Sequence, residues 1–513
     1  MKLASFFSLA LLLAASAFAQ LTPGVVVDHS ERFPLIADFN GDGLDDIFND
    51  RTVILNNGSS FGEPRDLGIG AYEEIIGLLD VNGDGIPDLL TYNGPLDHTY
   101  RLYVADASRH YGKPVVVGTS LRPYIADVDA DGRDDLVFMV PVRAADGFHN
   151  IATDFTVLRS RGDGTFDTSL PPVRIPAGDP QTLDSRRLLM GDLDHDGIAD
   201  IVLRCPTDLA VLRGLGGGRF AAETRFLPGA QTYHHATDDP WGWWNTRLAD
   251  IDGDGNLDVV SVGLRTIHVL FGDGHRNFPR HAWVKVAQSS PTPASPVPFP
   301  MDQAQQPRHI AIGHFTRSDR NEIAADTLEG DLITFAYEQG VLTETSRTET
   351  GFPFLLVEAG NFRGSALTDL IAYTSDDMGE KTPPPVIFHG NAQTAAVRAE
   401  PRTVVRRRTS APRTPSRTVL HLETHAQCYA DTSQDFVFQR DGMFAHAENG
   451  DAFFDGNDVY FRLPVPGFPV PIEGVLTRDG NGVYSGSQMA VCGYGGDLIP
   501  LTYTATVSAP PAR

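Results

Sequence analysis

Five nine-residue segments of the chain repeat one arrangement, with side-chain oxygens at positions 1, 3, 5 and 9 and a glycine at position 6. The clearest copy runs from Asp250 to Asp258 and reads D-I-D-G-D-G-N-L-D. Alternate acidic side chains can converge on one point, position 7 can add a backbone carbonyl, and the glycine permits a sharp turn. Such a set of hard oxygen donors suits Ca²⁺ rather than zinc or copper. The segments therefore predict about five calcium sites.

The predicted ligands are the side chains at positions 1, 3, 5 and 9 and the backbone carbonyl of position 7. In chain order they are Asp38, Asn40, Asp42, Leu44 and Asp46; Asp80, Asn82, Asp84, Ile86 and Asp88; Asp127, Asp129, Asp131, Arg133 and Asp135; Asp192, Asp194, Asp196, Ile198 and Asp200; and Asp250, Asp252, Asp254, Asn256 and Asp258. Because Asn40 and Asn82 replace a carboxylate at position 3, we expect weaker binding in the first two segments. The alternative is that the segments are solvated acidic turns without a metal.

A different chemistry is offered just upstream of the fifth segment, where residues 234–245 hold three of the four tryptophans. The candidate ligand-binding residues there are His234, His235, Asp238, Asp239, Trp241, Trp243 and Trp244. Exposed tryptophans can stack on sugar rings, and histidine and aspartate can bind a ligand or transfer protons. Alternatively, the tryptophans pack this insertion onto the rest of the fold. The chain has no nucleophile elbow, phosphate-binding loop or His-x-x-x-His helix, so we assign no catalytic residue.

Short apolar runs flank every acidic segment and predict the strands that position it. Around the fifth segment they are Leu248-Ala249 upstream, then Val259-Val260 and residues 267–270 downstream, before a glycine turn that ends at Phe278. Strand, acidic loop, strand, strand, glycine turn and strand predict a four-stranded antiparallel meander, which is one blade of a β-propeller.

Two further copies, residues 314–322 and 361–369, keep the flanking strands and lose most of the predicted ligands, which brings the count to seven. In the last copy Arg363 stands at position 3, where its guanidinium can replace the ion beside Asp369; the alternative is an exposed arginine. The ring can close in two ways: residues 25–27 supply a strand to the last blade, or that blade is completed after Gly390.

Acidic loops of the form D-x-[DN]-x-D-G-x-x-D that alternate with glycine-aromatic turns resemble the FG-GAP or VCBS repeats of integrin-alpha-like seven-bladed propellers, over roughly residues 33 to 395. The resemblance implies a calcium-stabilised module for binding or adhesion to a protein or glycan, without catalysis. The alternative is a carbohydrate-active protein, either a lectin or a polysaccharide lyase-like enzyme that uses residues 234–245.

The N-terminus reads as a secretory signal peptide, with Lys2, an apolar run over residues 3–15 and a small-x-small motif cut after Ala19. We therefore expect a secreted or cell-surface protein that does not span the membrane. The formal net charge of −25 argues against nucleic acid as a partner, because a phosphate backbone needs a basic surface.

The predicted fold class is all-β, a seven-bladed propeller with calcium loops followed by a small C-terminal β-sandwich-like domain. The expected domains are the signal peptide (1–19), the propeller (20–397), an arginine- and proline-rich linker (398–417) and a β-rich domain (418–513). Within the last, Cys428 and Cys492 are expected to form a disulfide in an exported protein.

Overall fold

A computed structural model describes the chain in segments, all of them without helix. The described residues are 21–27, 35–94, 97–119, 121–143, 150–176, 188–204, 209–226, 246–263, 266–286, 307–327, 330–350, 356–373, 384–391, 419–426, 429–438, 444–447, 450–454, 458–463, 472–478, 483–492 and 497–508. The predicted signal peptide, the tryptophan-rich residues 234–245, the linker and Cys428 lie outside them. In the described part of the chain, no helix is long and apolar enough to cross a membrane.

Most described strands fall into seven antiparallel sheets, which we number 1 to 7. Sheet 1 contains β2 (Leu35–Ala37), β3 (Asp46–Asn49), β4 (Thr52–Ile54) and β5 (Arg65–Asp66). Sheet 2 contains β6 (Glu74–Leu79), β7 (Asp88–Asn93), β8 (Thr99–Tyr103) and β9 (Val115–Thr119). Sheet 3 contains β10 (Tyr124–Ala126), β11 (Asp135–Arg143), β12 (Asn150–Ser160), β13 (Phe166–Asp167) and β14 (Val173–Pro176). Sheet 4 contains β15 (Leu188–Gly191), β16 (Asp200–Arg204), β17 (Leu209–Gly214) and β18 (Phe220–Phe226).

The remaining three sheets follow the same order. Sheet 5 contains β19 (Thr246–Ala249), β20 (Asp258–Gly263), β21 (Thr266–Phe271) and β22 (Arg280–Lys285). Sheet 6 contains β23 (Pro307–Gly313), β24 (Glu322–Thr327), β25 (Asp331–Glu338) and β26 (Val341–Glu349). Sheet 7 contains β27 (Leu356–Gly360), β28 (Asp369–Tyr373), β29 (Val386–His389) and, as its fourth strand, β1 (Thr22–Val26). Since β1 pairs antiparallel with β29, the first of the two predicted closures is present.

The second strand of each sheet is buried on both faces, which explains its uninterrupted apolar sequence. Successive side chains of a strand point to opposite faces, so each apolar pair after position 9 serves two neighbours. In β3, Ile47 packs against sheet 7, whereas Phe48 packs against sheet 2. In β20, Val259 packs toward sheet 4 and Val260 toward sheet 6.

Buried hydrophobic clusters lie between consecutive sheets all the way from sheet 1 to sheet 7. A further cluster, with Ile47 and Ile54 from sheet 1 and Phe362 and Ile371 from sheet 7, joins the two ends. First strands also contact one another along the series, for example β19 with β23 and β23 with β27. The contacts therefore run from sheet to sheet and return to the first, with the first strands on the inside.

The C-terminal region forms a closed barrel, and the prediction of a β-sandwich-like domain was wrong. Its strands are β30 (Val419–Ala426), β31 (Tyr429–Phe438), β32 (Phe444–Ala447), β33 (Gly450–Phe454), β34 (Asp458–Leu463), β35 (Ile472–Arg478), β36 (Tyr484–Cys492) and β37 (Asp497–Ser508). Each strand pairs with the next, and β30 pairs with β37 from Val419 opposite Ser508 to Ala426 opposite Leu501. This last pairing removes the free edges that two packed sheets would keep.

Candidate metal centre

Each of the seven sheets carries the predicted nine-residue loop between its first and second strands. We call them loop 1 (38–46), loop 2 (80–88), loop 3 (127–135), loop 4 (192–200), loop 5 (250–258), loop 6 (314–322) and loop 7 (361–369). The 25 residues predicted as calcium ligands all lie in loops 1 to 5 and are all described.

The aspartate at position 1 binds the backbone of its own loop. In loop 1, Asp38 Oδ1 accepts hydrogen bonds from the N–H groups of Gly41 at 2.6 Å and Asp42 at 3.1 Å, and Oδ2 accepts one from Gly43 at 2.7 Å. Loop 5 repeats these three contacts through Asp250. Position 1 therefore holds the turn in shape and points its carboxylate to the inside of the loop.

The glycine at position 6 is required by backbone conformation. Its φ angle is +82° at Gly132 and +90° at Gly255, in the left-handed region, and a Cβ at either position would meet no atom within 4 Å. Position 4 is left-handed as well, and in loops 3 and 4 it is occupied by Ala130 and His195, each with φ of 60°. The sequence had indicated only the first of these two special positions.

Position 9 is a buried carboxylate that ties three strands together. Asp258 is fully buried; its Oδ2 accepts a hydrogen bond from Ile251 N–H at 2.8 Å, and its Oδ1 accepts one from Gly272 N–H at 2.9 Å. Gly272 follows the third strand of the sheet, so the carboxylate links the loop to the end of β21. Asp46, Asp88, Asp135 and Asp200 make the same pair of contacts.

Burial makes these carboxylates easier to protonate. It raises the pKa of Asp46 and Asp88 to about 6 and that of Asp135 and Asp258 to about 7, although the two backbone hydrogen bonds lower it. Burial also raises the pKa of Asp200. A nearby cation would favour the charged form of each group.

Three of the loops bring acidic side chains close enough to hold one cation. The sets are Asp127, Asp129 and Asp135 in loop 3; Asp192, Asp194 and Asp196 in loop 4; and Asp250, Asp252 and Asp254 in loop 5. In each set, one ligand atom per residue lies within 4.8 Å of the others. These are the three loops with aspartate at position 3.

The position 3 oxygens test whether a hard cation fits. Asp129 Oδ1 and Asp194 Oδ1 are buried and have no hydrogen-bond partner. A buried oxygen without a donor is costly, and a cation bound between the carboxylates would satisfy it. The donor set of loops 3 and 4 therefore fits Ca²⁺.

Loops 1 and 2 satisfy themselves instead. Asn40 Oδ1 accepts a hydrogen bond from Asp42 N–H at 2.8 Å, and its amide Nδ2 donates to Asp42 Oδ2 at 2.9 Å. Asn82 and Asp84 repeat both contacts. The amide at position 3 thus occupies an oxygen of position 5 that a cation would need.

Arginines neutralise part of the acidic charge. Arg276 pairs with Asp194 of loop 4, and Arg159 lies 3.5 Å from Asp129 of loop 3. Arg280 lies 2.6 Å from Asp252 in loop 5. All of these contacts are to Oδ2, which leaves Oδ1 of Asp129 and of Asp194 for another partner.

Loops 6 and 7 replace the acidic set with side chains of their own. In loop 6, buried Glu322 accepts hydrogen bonds from Thr316 N–H at 2.5 Å and from its hydroxyl at 2.6 Å. In loop 7, Arg363 Nε lies 3.0 Å from both oxygens of Asp369, and Nη2 lies 2.6 Å from Oδ1. The predicted pair of Arg363 with Asp369 is thus present, and Arg363 also donates to Gly390 O at 2.9 Å.

Sequence reasoning missed position 8, which links neighbouring loops. Asp134 N–H donates to Asp80 O at 2.8 Å, and Asp80 N–H donates to Asp134 Oδ2 at 2.7 Å. Thr368 makes the same reciprocal pair with His314 at 2.8 Å each. We call such a pair a loop latch. Its signal in the sequence is a polar residue directly before position 9.

At the opposite ends of the strands, a cleft lies between sheets 1 and 2. It is lined by Asp50, Arg51, Ala71, Tyr72, Glu73, Glu74, Tyr92 and Gly94. The Tyr72 side chain is 62 % exposed. Glu73 is buried and binds Arg101 Nη1 at 2.6 Å and Thr91 Oγ1 at 2.5 Å, so its carboxylate is already satisfied by the chain.

The candidate residues from His234 to Trp244 lie outside the described residues, and no geometry can be assigned to them. Cys428 of the predicted disulfide also lies outside the described residues, and only the backbone of Cys492 is described. Both stay predictions.

Seven antiparallel sheets, six of them four-stranded, with an acidic loop in each of the first five, define a protein of the β-propeller type. Residues 127–203 and 192–261, which span loops 3 to 5, match the family model of the FG-GAP-like repeat. The chain therefore contains FG-GAP-like repeats, which confirms the resemblance seen in its sequence.

Among solved structures, a lectin from Agrocybe aegerita that recognises non-reducing terminal N-acetylglucosamine is 19% identical, with a TM-score of 0.41, and the match covers 62% of this chain and 81% of the lectin. Sqt1 from Saccharomyces cerevisiae is 10% identical, with a TM-score of 0.41, and the match covers 83% of this chain and 97% of Sqt1. Neither likeness says anything about a ligand or activity of this chain. A comparison with curated protein sequences found no significant match.

Proposed function

We propose that this chain is an exported, calcium-stabilised, seven-bladed β-propeller that binds a protein or glycan ligand and has no catalytic activity of its own. The observation that carries the calcium assignment is the pair of buried, unpartnered oxygens on Asp129 and Asp194 within the acidic sets of loops 3 and 4. Ca²⁺ requires hard oxygen ligands that converge on one point, and these two oxygens accept no hydrogen bond within the chain.

When bound, the ion would supply positive charge at the centre of each loop. Positions 1, 3, 5 and 9 and the carbonyl of position 7 would hold it, with loops 3 to 5 stronger than loops 1 and 2. With calcium about 100-fold above a site's dissociation constant, each occupied site stabilises the native state by about 2.7 kcal/mol. The ions would thus fix the loops that join the first two strands of these blades.

The binding role is supported by the architecture. Seven sheets in a closed series of contacts give a rigid scaffold, and connecting loops on such a scaffold are where ligands bind. The proposed partition places the signal peptide at 1–19, the propeller at 20–397, the linker at 398–417 and the barrel after it.

Thermal melts with calcium and with EGTA test the metal. We expect EGTA to lower the melting temperature sharply, and an unchanged melt would exclude the calcium sites. A glycan array together with a polysaccharide depolymerisation assay tests the binding role, and product formation would show that the protein is an enzyme instead. Secretion of the full chain, with N-terminal sequencing of the secreted product, tests export and cleavage after Ala19.

A further inference from the structure

A polar cluster lies where the first strands of sheets 5, 6 and 7 meet, away from the acidic loops. Arg247 belongs to β19, His309 to β23 and Glu358 to β27, and consecutive members of these three strands contact one another. First strands lie on the inside of the series of sheets. The cluster therefore lies at the inside of the series of sheets, whereas other first-strand side chains, such as Ile36 and Ile312, are apolar and pack between neighbouring sheets.

Arg247 and Glu358 form its accessible part. Arg247 Nη2 lies 3.5 Å from Glu358 Oε1, and the two side chains remain 22% and 25% exposed. Burial raises the pKa of Glu358, whereas the positive charges of Arg247 and His309 lower it. A guanidinium, which only donates hydrogen bonds, thus stands beside a carboxylate within reach of solvent.

His309 and Asp326 form a buried pair in sheet 6, and the strand of His309 contacts the strands of both Arg247 and Glu358. His309 Nδ1 lies 3.1 Å from both carboxylate oxygens of Asp326, and both side chains are buried. His309 N–H also donates to Asp326 Oδ1 at 2.7 Å. The carboxylate therefore fixes the imidazole ring and assigns the Nδ1 proton, which leaves Nε2 as the other polar atom of the ring.

Tyr373 adds an unexplained group. It is 5% exposed, and its buried hydroxyl has no hydrogen-bond partner. In the pairing of β27 with β28, Leu356 lies opposite Tyr373 and Glu358 opposite Ile371, so Glu358 and Tyr373 are diagonal neighbours on one face of sheet 7. Burial, and next the negative charge of Glu358, raise the pKa of this hydroxyl. Buried polar groups without a partner are rare, and each one needs an explanation.

We propose that Arg247 and Glu358 bind a neutral saccharide through two adjacent hydroxyls, with His309, Asp326 and Tyr373 as positioning residues. A hydroxyl both donates and accepts, so one hydroxyl of a vicinal diol donates to Glu358 while the next accepts from Arg247. The buried Tyr373 hydroxyl makes no hydrogen bond within the described chain, and in this proposal it donates to the Glu358 carboxylate when the saccharide is bound. The net charge of −25 disfavours an acidic polysaccharide, which would be repelled by the whole protein.

This inference rests on the proposed binding role and names the class of ligand. Its test uses the full chain on an array of neutral and uronate-containing oligosaccharides, followed by calorimetry with the neutral oligosaccharide that gives the strongest signal. We expect Glu358→Gln and Arg247→Lys each to weaken binding about tenfold. Tyr72→Ala, in the cleft between sheets 1 and 2, is the control and should bind as the unmodified chain does.

Tyr373→Phe separates positioning from folding. Removal of an unpartnered hydroxyl should leave the melting temperature unchanged or raise it, while the dissociation constant increases. Unchanged affinity in Glu358→Gln and Arg247→Lys would overturn the site, and so would binding of uronate-containing saccharides alone.

Failure of this site is distinguishable from failure of the proposed function. If neutral saccharides bind and only Tyr72→Ala weakens them, the site at Arg247 and Glu358 is wrong, but the binding role stands. If no saccharide binds, this site is again excluded, whereas the calcium melts and a search for a protein ligand still decide the proposed function.

Discussion

Asp45 and Asn361 join the first and last loops across 316 residues of chain. Asp45 N–H donates to Asn361 O at 2.8 Å, and Asn361 N–H donates to Asp45 Oδ2 at 2.6 Å. Asn361 Nδ2 also donates to Gly43 O at 2.7 Å. This is the same loop latch that joins Asp134 to Asp80, placed where sheet 7 meets sheet 1.

Asp45→Ala should therefore weaken closure of the series of sheets. The substitution leaves the N–H of Asn361 without its acceptor, and we expect a loss of about 1 to 3 kcal/mol in the free energy of unfolding. Thermal and denaturant unfolding measure it. Asp45→Asn is the matched control, because its amide oxygen can still accept the hydrogen bond. Equal losses in the two variants would contradict the latch.

Loop 2 has asparagine at position 3 and loop 4 has aspartate, so exchanging the residue at this position should change calcium affinity in opposite directions in the two loops. Asp194→Asn in loop 4 should reduce calcium affinity at that loop roughly tenfold, because ligand charge sets the affinity of such sites. Asn82→Asp in loop 2 should do the reverse: it removes the amide that donates to Asp84 Oδ2 at 2.9 Å and adds a carboxylate.

Calcium titration by calorimetry, together with melts in calcium and in EGTA, measures both variants. We expect Asn82→Asp to melt lower than the unmodified chain in EGTA and to gain more from calcium. If both variants titrated with calcium as the unmodified chain does, the side chain at position 3 would not be a calcium ligand.

The buried carboxylates at position 9 predict how stability depends on pH without calcium. Their ordinary pKa is 3.8, and burial raises it to about 6 in Asp46 and to about 7 in Asp135. Between these values the unfolded chain has lost protons that the folded chain still binds, so stability falls as pH rises from about 4 to 7. Buried His281, whose pKa burial lowers to about 4, acts in the opposite direction. It opposes the five position 9 carboxylates and also Asp45, Asp129, Asp134 and Glu358, whose pKa values burial raises as well.

Melts in EGTA at several pH values within this window should therefore show a lower melting temperature toward neutral pH. Calcium binds the charged carboxylates, so its addition should abolish or reverse the trend. Asp135→Asn should flatten the EGTA profile. A melting temperature that rises toward neutral pH in EGTA would contradict the assignment of these raised pKa values.

The sequence was most informative about the strands and loops whose residue pattern is set by their immediate surroundings. Apolar pairs such as Ile47-Phe48 and Val259-Val260 are directly visible as doubly buried strands, and the spacing of acids and glycine predicts the loop between them. The two hydrogen bonds that Asp258 accepts were not visible in the sequence, because Gly272, one of its two partners, comes after the third strand.

Long-range pairing was also beyond the sequence. Position 8 forms a latch only with position 1 of the loop in the neighbouring sheet, so Asp45 carries no local signal of Asn361. A β-rich C-terminal domain was predicted, but its closure was not. Closure depends on β30 pairing with β37, two segments about as far apart as that region allows. Local pattern predicts strands, whereas the pairing of chain ends decides between a sandwich and a barrel.

Loop 7 makes the last prediction, because Arg363 takes the place that a cation holds in the proposal for the other loops. Asp369 is fully buried, and Arg363 is its permanently charged partner. In Arg363→Ala the buried carboxylate keeps only the N–H of Gly390 at 3.1 Å and the imidazole of His389 at 3.4 Å. We expect a loss of about 2 to 3 kcal/mol in the free energy of unfolding. Arg317→Ala is the matched control in loop 6: Arg317 pairs with exposed Asp319 and Glu338, and exposed pairs contribute about 0 to 1 kcal/mol. Arg363→Lys, which keeps the charge but not the two-pronged contact, should fall between the two. Melts at low salt decide the matter: if Arg363→Ala is as stable as Arg317→Ala, the arginine does not substitute for an ion.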